Sequence, residues 1–217
     1  KDMKMRQMEV MKAAALARNS YLGAGLMPPL QDSLDRGGVQ AWFLNDGTLI
    51  IPGTNHWTDW LRFNFNTMLV SGQQVGWDEV GTCIGNAKWH RGFALHAKAI
   101  HTFLGSRKPT YIVGHSLGAA SAQILGCHYG VPTLCFASPQ PRFGADMLAK
   151  EGWVMNIVYA DDPVGRFPLA ANGYRRIGSV KWLAKTPISG LQHSMDRYIP
   201  IMEKGKAKLP DVWPPNR

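Results

Sequence analysis

The chain has 217 residues, 45% of them apolar and 18% charged, which excludes a disordered segment and allows one well-buried core. Its 24 Lys and Arg against 15 Asp and Glu leave a net charge of +9 and a pI near 9.6, so the surface attracts anionic partners. The basic residues are scattered, so no nucleic-acid site is expected, and no apolar stretch reaches the length of a transmembrane helix.

Residues 3–18 read as a helix, with Met3, Met5, Met8, Met11, Ala14, Ala15 and Leu16 as its apolar members. Residues 21–38 read as a loop, carrying Gly23, Gly25 and Pro28-Pro29. Val39–Leu44 and Thr48–Ile51 are predicted strands, and Asn45-Asp46-Gly47 between them is a hairpin signal. Residues 55–65 place Trp57, Trp60, Leu61 and Phe65 at roughly helical spacing. That segment is either a fixed helix facing the core or a movable wall over an apolar site. Residues 66–89 have few regular signals and read as a functional loop or an irregular strand pair. A helix is predicted from His90 to about Leu104, with Leu95, Ala99, Ile100 and Phe103 as its inward stripe and Gly105 as its cap.

Next comes the most informative stretch. The apolar run Tyr111-Ile112-Val113 predicts a buried strand, Gly114-His115-Ser116-Leu117-Gly118 follows at once, and a helical run succeeds it. Strand, G-x-S-x-G and helix in succession form a nucleophile elbow, which predicts an α/β-hydrolase fold. The spacing has a steric cause. Side chains two before and two after the serine would collide at so sharp a turn, and glycine removes the Cβ at both places. Ser116 is then held in a strained conformation at a helix N-terminus that favours negative charge.

Beyond the elbow, residues 131–137 and 153–160 are predicted strands, 138–144 a turn and 146–151 a short helix. Residues 174–183 read as a hairpin, 194–202 as a helix, and 204–217 as an exposed polar, Pro-rich tail. Strands alternating with helices predict one domain over 1–217, with a mainly parallel central sheet and helices on both faces. Cys83, Cys127 and Cys135 cannot all pair within one chain, and the apolar surroundings of Cys127 and Cys135 predict buried free thiols. With no leader-like opening segment, the chain is expected to be soluble, and its cysteine usage leans toward the cytoplasm.

A serine hydroxyl needs a base. The chain order Ser, acid, His expected for this fold selects His193, the only histidine after residue 128. His96 and His101 lie in the helix before the elbow, His128 ends the helix after it, His56 and His90 precede the serine, and His115 is read as pointing away from it. The acid should follow a strand, as Asp161 and Asp162 both do, and Asp162 is preferred because Pro163 stiffens its turn. An oxyanion hole needs the amide after the nucleophile, at Leu117, and a second donor from an earlier strand-to-helix loop, here Gly53-Thr54.

With these residues in view, the chain resembles the class 3 lipases, the fungal triacylglycerol lipase-like branch of the α/β-hydrolases. The matching pieces are Pro52-Gly53-Thr54 with Asp59-Trp60, His90-Arg91-Gly92-Phe93, the elbow through Ala120, Pro141-Arg142-Phe143-Gly144, Asp162-Pro163-Val164 with Pro168, and His193. They run in family order over about residues 39–199. The resemblance implies Ser116 as nucleophile, Asp162 as acid, His193 as base, and Thr54 with Leu117 as oxyanion hole. It implies hydrolysis of lipid-type or small esters without metal or cofactor. A phospholipase or acyltransferase on the same triad, or a binding protein on a hydrolase scaffold, stand as alternatives. The basic surface suits an anionic lipid interface, and the acyl length and oligomeric state stay open.

Overall fold

The computed structural model describes residues 5–54, 87–168, 170–185 and 192–216, together with the backbone of 74–76. The expectations for residues 55–65, including Trp57, Trp60, Leu61 and Phe65, and for Cys83 lie outside the described residues.

The described strands are β1 (Met8–Glu9), β2 (Leu30–Arg36), β3 (Val39–Leu44), β4 (Thr48–Ile51), β5 (Gln74–Gly76), β6 (Lys88–His90) and β7 (Tyr111–His115). They continue with β8 (Thr133–Phe136), β9 (Arg142–Phe143), β10 (Val154–Tyr159), β11 (Tyr174–Arg175), β12 (Ser179–Leu183) and β13 (Val212–Trp213). The described α-helices are α1 (Val10–Asn19), α2 (Arg91–Leu104), α3 (Leu117–Tyr129) and α4 (Met195–Lys204).

Among the described residues, seven strands form the main sheet in the order β12-β10-β8-β7-β4-β3-β2. The β12-β10-β8-β7-β4 run is parallel, and β3 and β2 add an antiparallel edge. The α/β-hydrolase expectation is borne out. The apolar runs form strands because both faces are covered. Leu49, Ile51, Ile112 and Cys135 point into the core under α2 and α3. Ile50, Tyr111, Val113, Leu134 and Ile157 point into the core under α1 and α4. Truncating Ile50 or Ile112, both fully buried, to alanine is expected to cost about 2–5 kcal/mol.

Several elements differ from the sequence expectation, each for a tertiary reason. The first helix starts at Val10, because Met8–Glu9 is captured as a strand by Val212–Trp213 and the Val10 amide donates to the Asp211 carbonyl at 2.9 Å. From there Val10, Ala13, Ala14 and Ala17 form one buried stripe. The same pairing corrects the exposed tail. Tyr111 donates its hydroxyl to the Trp213 carbonyl at 2.9 Å, and the Trp213 indole donates to the Trp153 carbonyl at 3.0 Å.

The expected loop at 21–38 contains β2, a largely exposed edge strand whose polar residues hide it from apolar periodicity. In α2 the buried stripe is Phe93, Ala94, Ala97, Ile100 and Leu104, and Leu95 is 41% exposed. The helix is rotated relative to the expected stripe because Phe93 anchors its first turn against Phe167 and His90.

The irregular strand pair in 66–89 is present as β5 and β6, which belong to a small antiparallel sheet ordered β11-β9-β6-β5. The expected turn at 138–144 therefore holds a strand. The expected hairpin at 174–183 splits: β11 joins β9, and β12 joins β10 in parallel. Asn156 enforces the split by donating to the carbonyls of Ile177 and Ser179. In place of a helix at 146–151 there is a 3-10 turn at Glu151–Trp153. Both Glu151 oxygens are held by Arg175, and both Asp146 oxygens by Arg142. These ion pairs tie the segment to β9 and β11. Cys127 and Cys135 are buried free thiols, as expected.

Candidate active site

The carboxyl ends of β4, β7 and β10 lie together, where open α/β sheets collect ligands. They deliver Gly53-Thr54, Ser116 and Asp162. Ser116 sits between β7 and α3 at φ 57° and ψ −127°, a positive φ that costs a non-glycine residue of order 1–3 kcal/mol. The two flanking glycines relieve different crowding. A Cβ on Gly114 would lie 2.6 Å from the Ala122 Cβ, inside the strand-to-helix turn. A Cβ on Gly118 would collide with the carbonyl oxygens of Ile51 and Pro52, at the end of the neighbouring strand β4. The elbow is thus wedged against the loop that carries Thr54. Gly53 completes the fit, since a Cβ there would lie 2.7 Å from the Ser116 Cβ.

His193 lies in the loop just before α4. Its Nδ1 is 3.0 Å and 2.9 Å from the Asp162 oxygens, and its Nε2 is 2.8 Å from Ser116 Oγ. A carboxylate only accepts, so Nδ1 carries the proton and Nε2 is left to accept from the serine hydroxyl. All three side chains are buried. Asp162 Oδ1 also accepts the Val164 amide at 3.0 Å, and Oδ2 accepts the Tyr198 hydroxyl at 2.6 Å. Burial, then the Asp162 charge, push the Tyr198 phenol well above its ordinary range, so it stays a donor. Asp161, the other carboxylate weighed from the sequence, faces outward and pairs with Lys185 at 3.0 Å.

Thr54 is half-buried beside a cavity of about 230 Å³, which Tyr21, Leu22, His115 and His193 also line. Leu117 opens α3, so its amide sits at the helix N-terminus next to Ser116. Arg18 and Asp196, 3.5 Å apart, line the same cavity from the ends of α1 and α4. Among the described residues no group of three or more His, Cys, Asp or Glu side chains is gathered to hold a metal.

The sequence reading missed several residues at the site. Tyr198 lies on the buried stripe of α4 with Met195, Ile201 and Met202, so its apolar position was legible but its hydroxyl contact was not. Tyr21 lies in a stretch read as loop. Arg176 is buried and donates to the carbonyls of Ser138 and Gly165, joining the turn after β8 to the turn that carries Asp162. Burial pushes its pKa down to about 10. His115 does not point away from the site. Its ring centroid lies 5.1 Å from that of His193, and burial, followed by the His193 charge, holds its pKa down to about 3.

The chain is similar to several fungal lipases. No family model matches the chain. A secreted mono- and diacylglycerol lipase 1 of Fusarium solani is 26% identical, over 80% of this chain and 59% of its own length. The chain therefore spans about 59% of the curated relative it matches. Among solved structures, a mono- and diacylglycerol lipase from Aspergillus oryzae superposes with a TM-score of 0.55 at 20% identity, covering 82% of this chain and 78% of that one. The Rhizomucor miehei triacylglyceride lipase superposes with a TM-score of 0.54 at 14% identity, covering 82% of each. These likenesses show the shared fold, and the resemblance to class 3 lipases drawn from the motifs is borne out. The Fusarium relative is named as secreted, which gives no support to the cytoplasmic leaning of the cysteine usage. Among the described residues no helix is long and apolar enough to cross a membrane.

Proposed function

We propose that this chain is a serine hydrolase of the class 3 lipase type, cleaving lipid-type carboxylic esters through an acyl-enzyme. The observation that carries the reading is the unbroken line of hydrogen bonds from Asp162 through His193 to Ser116 Oγ. Ser116 Oγ attacks the ester carbonyl carbon while His193 Nε2 takes its proton. Asp162 stabilises the imidazolium and holds its orientation. The amide of Leu117 and the Thr54 group receive the negative charge that develops on the carbonyl oxygen. Nε2–H then protonates the departing alkoxide. A water, deprotonated by His193, attacks the acyl carbon in turn, and Nε2–H returns the proton to Ser116 Oγ as its bond to the acyl carbon breaks.

The relatives named as acting on mono-, di- and triacylglycerols support a glyceride-like ester as the substrate class. The net charge of +9 supports an anionic lipid surface as the working environment, at roughly 1 kcal/mol per basic residue close to the surface. The reading takes 1–217 as one hydrolase domain, supported by the pairing of β1 with β13.

The test is direct. A fluorophosphonate should label the wild type at Ser116, and Ser116→Ala should stay folded while ester turnover falls by about 10⁴-fold or more. Near-wild-type turnover in that variant would remove the serine mechanism.

A further inference from the structure

A second line of hydrogen bonds runs along the wall of the same cavity, and the proposed chemistry does not use it. The Gly53 amide donates to the Tyr21 hydroxyl at 2.6 Å. That hydroxyl is 2.5 Å from His115 Nδ1. His115 Nε2 is 2.9 Å from the main-chain carbonyl of His193. The directions follow from the ends inward. A carbonyl only accepts, so Nε2 carries the hydrogen. His115 is neutral, so Nδ1 is an acceptor and Tyr21 must donate to it. The Tyr21 oxygen is then free to accept from Gly53. Every donor in the chain has an acceptor, and the chain can run in one sense only.

Its two ends matter more than its middle. Gly53 precedes Thr54, in the loop after β4. His193 stands in a different loop, just before α4. Ser116 lies between them, in contact with Gly53 and hydrogen-bonded to His193. The oxyanion donor and the base therefore come from separate parts of the chain, yet they must keep a fixed separation across the serine. Misplacement of such groups by an ångström costs on the order of 100-fold in rate.

We propose that Tyr21 and His115 are positioning residues, a strut that fixes the Thr54 loop and the His193 loop at one separation around Ser116. The proposal rests on reading Ser116 as the nucleophile. It assigns His115 a reason to be neutral, since a second imidazolium against the His193 ring would oppose the charge His193 acquires. It also explains why the chain after α1 turns inward at Tyr21 before leaving for the exposed strand β2.

The experiment compares Tyr21→Phe, His115→Leu, His115→Gln and the Tyr21→Phe/His115→Leu double variant with the wild type. The readouts are kcat and KM on a soluble short-chain p-nitrophenyl ester, the rate of fluorophosphonate labelling, and Tm. Tyr21→Phe keeps the ring and its packing. It should lower kcat and the labelling rate about 10- to 100-fold while KM moves less than about 3-fold. His115→Gln, which still offers an acceptor and a donor on one planar group, should recover at least about 5-fold in kcat over His115→Leu. The double variant should be no worse than the worse single within about 3-fold, because both break one strut. A fall in Tm with kcat per folded molecule within about 2-fold of wild type, or single effects that multiply in the double, would overturn the strut. A wild type with no Ser116-dependent turnover or labelling would overturn the reading of the site, and the strut with it. Active wild type with unaffected variants would overturn the strut alone.

Discussion

The turn carrying Ser116 and the turn carrying Asp162 follow parallel strands of one sheet, yet they are held by opposite means. The Ser116 turn is shaped by exclusion. Its serine occupies a strained conformation, and Gly53, Gly114 and Gly118 sit where any side chain would meet a neighbour. The Asp162 turn is shaped by attachment. Its amide donates to the Tyr159 carbonyl at 3.0 Å, its carbonyl accepts from Gly165 at 3.1 Å, and its carboxylate collects Val164, His193 and Tyr198. A nucleophile must project from a narrow place, which sterics can define. An acid must be satisfied on every lone pair, which only partners can do.

The largest test of this contrast is at the acid. Asp162→Asn keeps the shape of the turn but presents an amide to His193, so kcat should fall about 10³- to 10⁴-fold with a modest change in Tm. Asp161→Asn, in the outward-facing neighbour paired with Lys185, should leave kcat within about 2-fold. If Asp161→Asn proved the more damaging, the assignment of the acid would be off by one residue.

At the elbow the expected damage is to the fold. Gly118→Ala would force a methyl against the Ile51 carbonyl, and about 3 kcal/mol or more of stability should be lost by chemical denaturation. A soluble variant of unchanged stability would mean that the elbow is not sterically defined.

The elbow was legible in the sequence because exclusion leaves a local trace. Glycines two residues either side of a serine, with a buried strand before and small residues after, need no knowledge of the rest of the chain. The order of Ser116, Asp162 and His193 was legible for a related reason, since each follows a strand of the same sheet. Attachment leaves no such trace. Tyr198 and Tyr21 read as one aromatic on a helix and one in a loop, because their partners lie 36 and 32 residues away. β2 escaped because an exposed edge strand is defined by its ladder and not by buried side chains. The docked segment around Trp213 escaped because its partner stands near the other end of the described chain.

Acid sharpens the comparison from another side. Burial holds the pKa of His90 and His96 down to about 4 and that of His115 to about 3, against an ordinary value of 6.5. Two of these support the elbow: His96 bonds Ser121 of α3 at 2.6 Å, and His115 adjoins the nucleophile. In the unfolded chain all three take up protons below 6.5 that the folded chain refuses. Stability should therefore fall as pH drops from 6.5 toward 4, with a slope of up to about 1.4 kcal/mol per pH unit for each histidine. Denaturation curves at a series of pH values would measure the slope, and His96→Gln should flatten it by one histidine's share.

The smallest expected effect is at Tyr198. Tyr198→Phe removes one donor from Asp162 and the hydroxyl to which the Tyr159 amide donates at 3.0 Å. About 1–3 kcal/mol of stability should be lost. The accompanying fall in kcat should stay within about 10-fold, since His193 still holds the carboxylate. A fall as large as that of Asp162→Asn would mean that the phenol, and not the turn, sets the acid.

The pairing of β1 with β13 has a consequence for biosynthesis. Gln7 donates to the Pro214 carbonyl across 207 residues, and the helix that follows β1 packs with α4 against one face of the sheet. While the polypeptide is being made, α1 leaves the ribosome well before the strand that anchors it, with most of the described chain between them. Until then the face built from Ile50, Val113 and Leu134 has only part of its cover. Contacts of such long range form late, and an incompletely covered sheet is where nascent chains associate wrongly. Chaperone demand should thus concentrate in the interval between synthesis of β7 and release of Trp213.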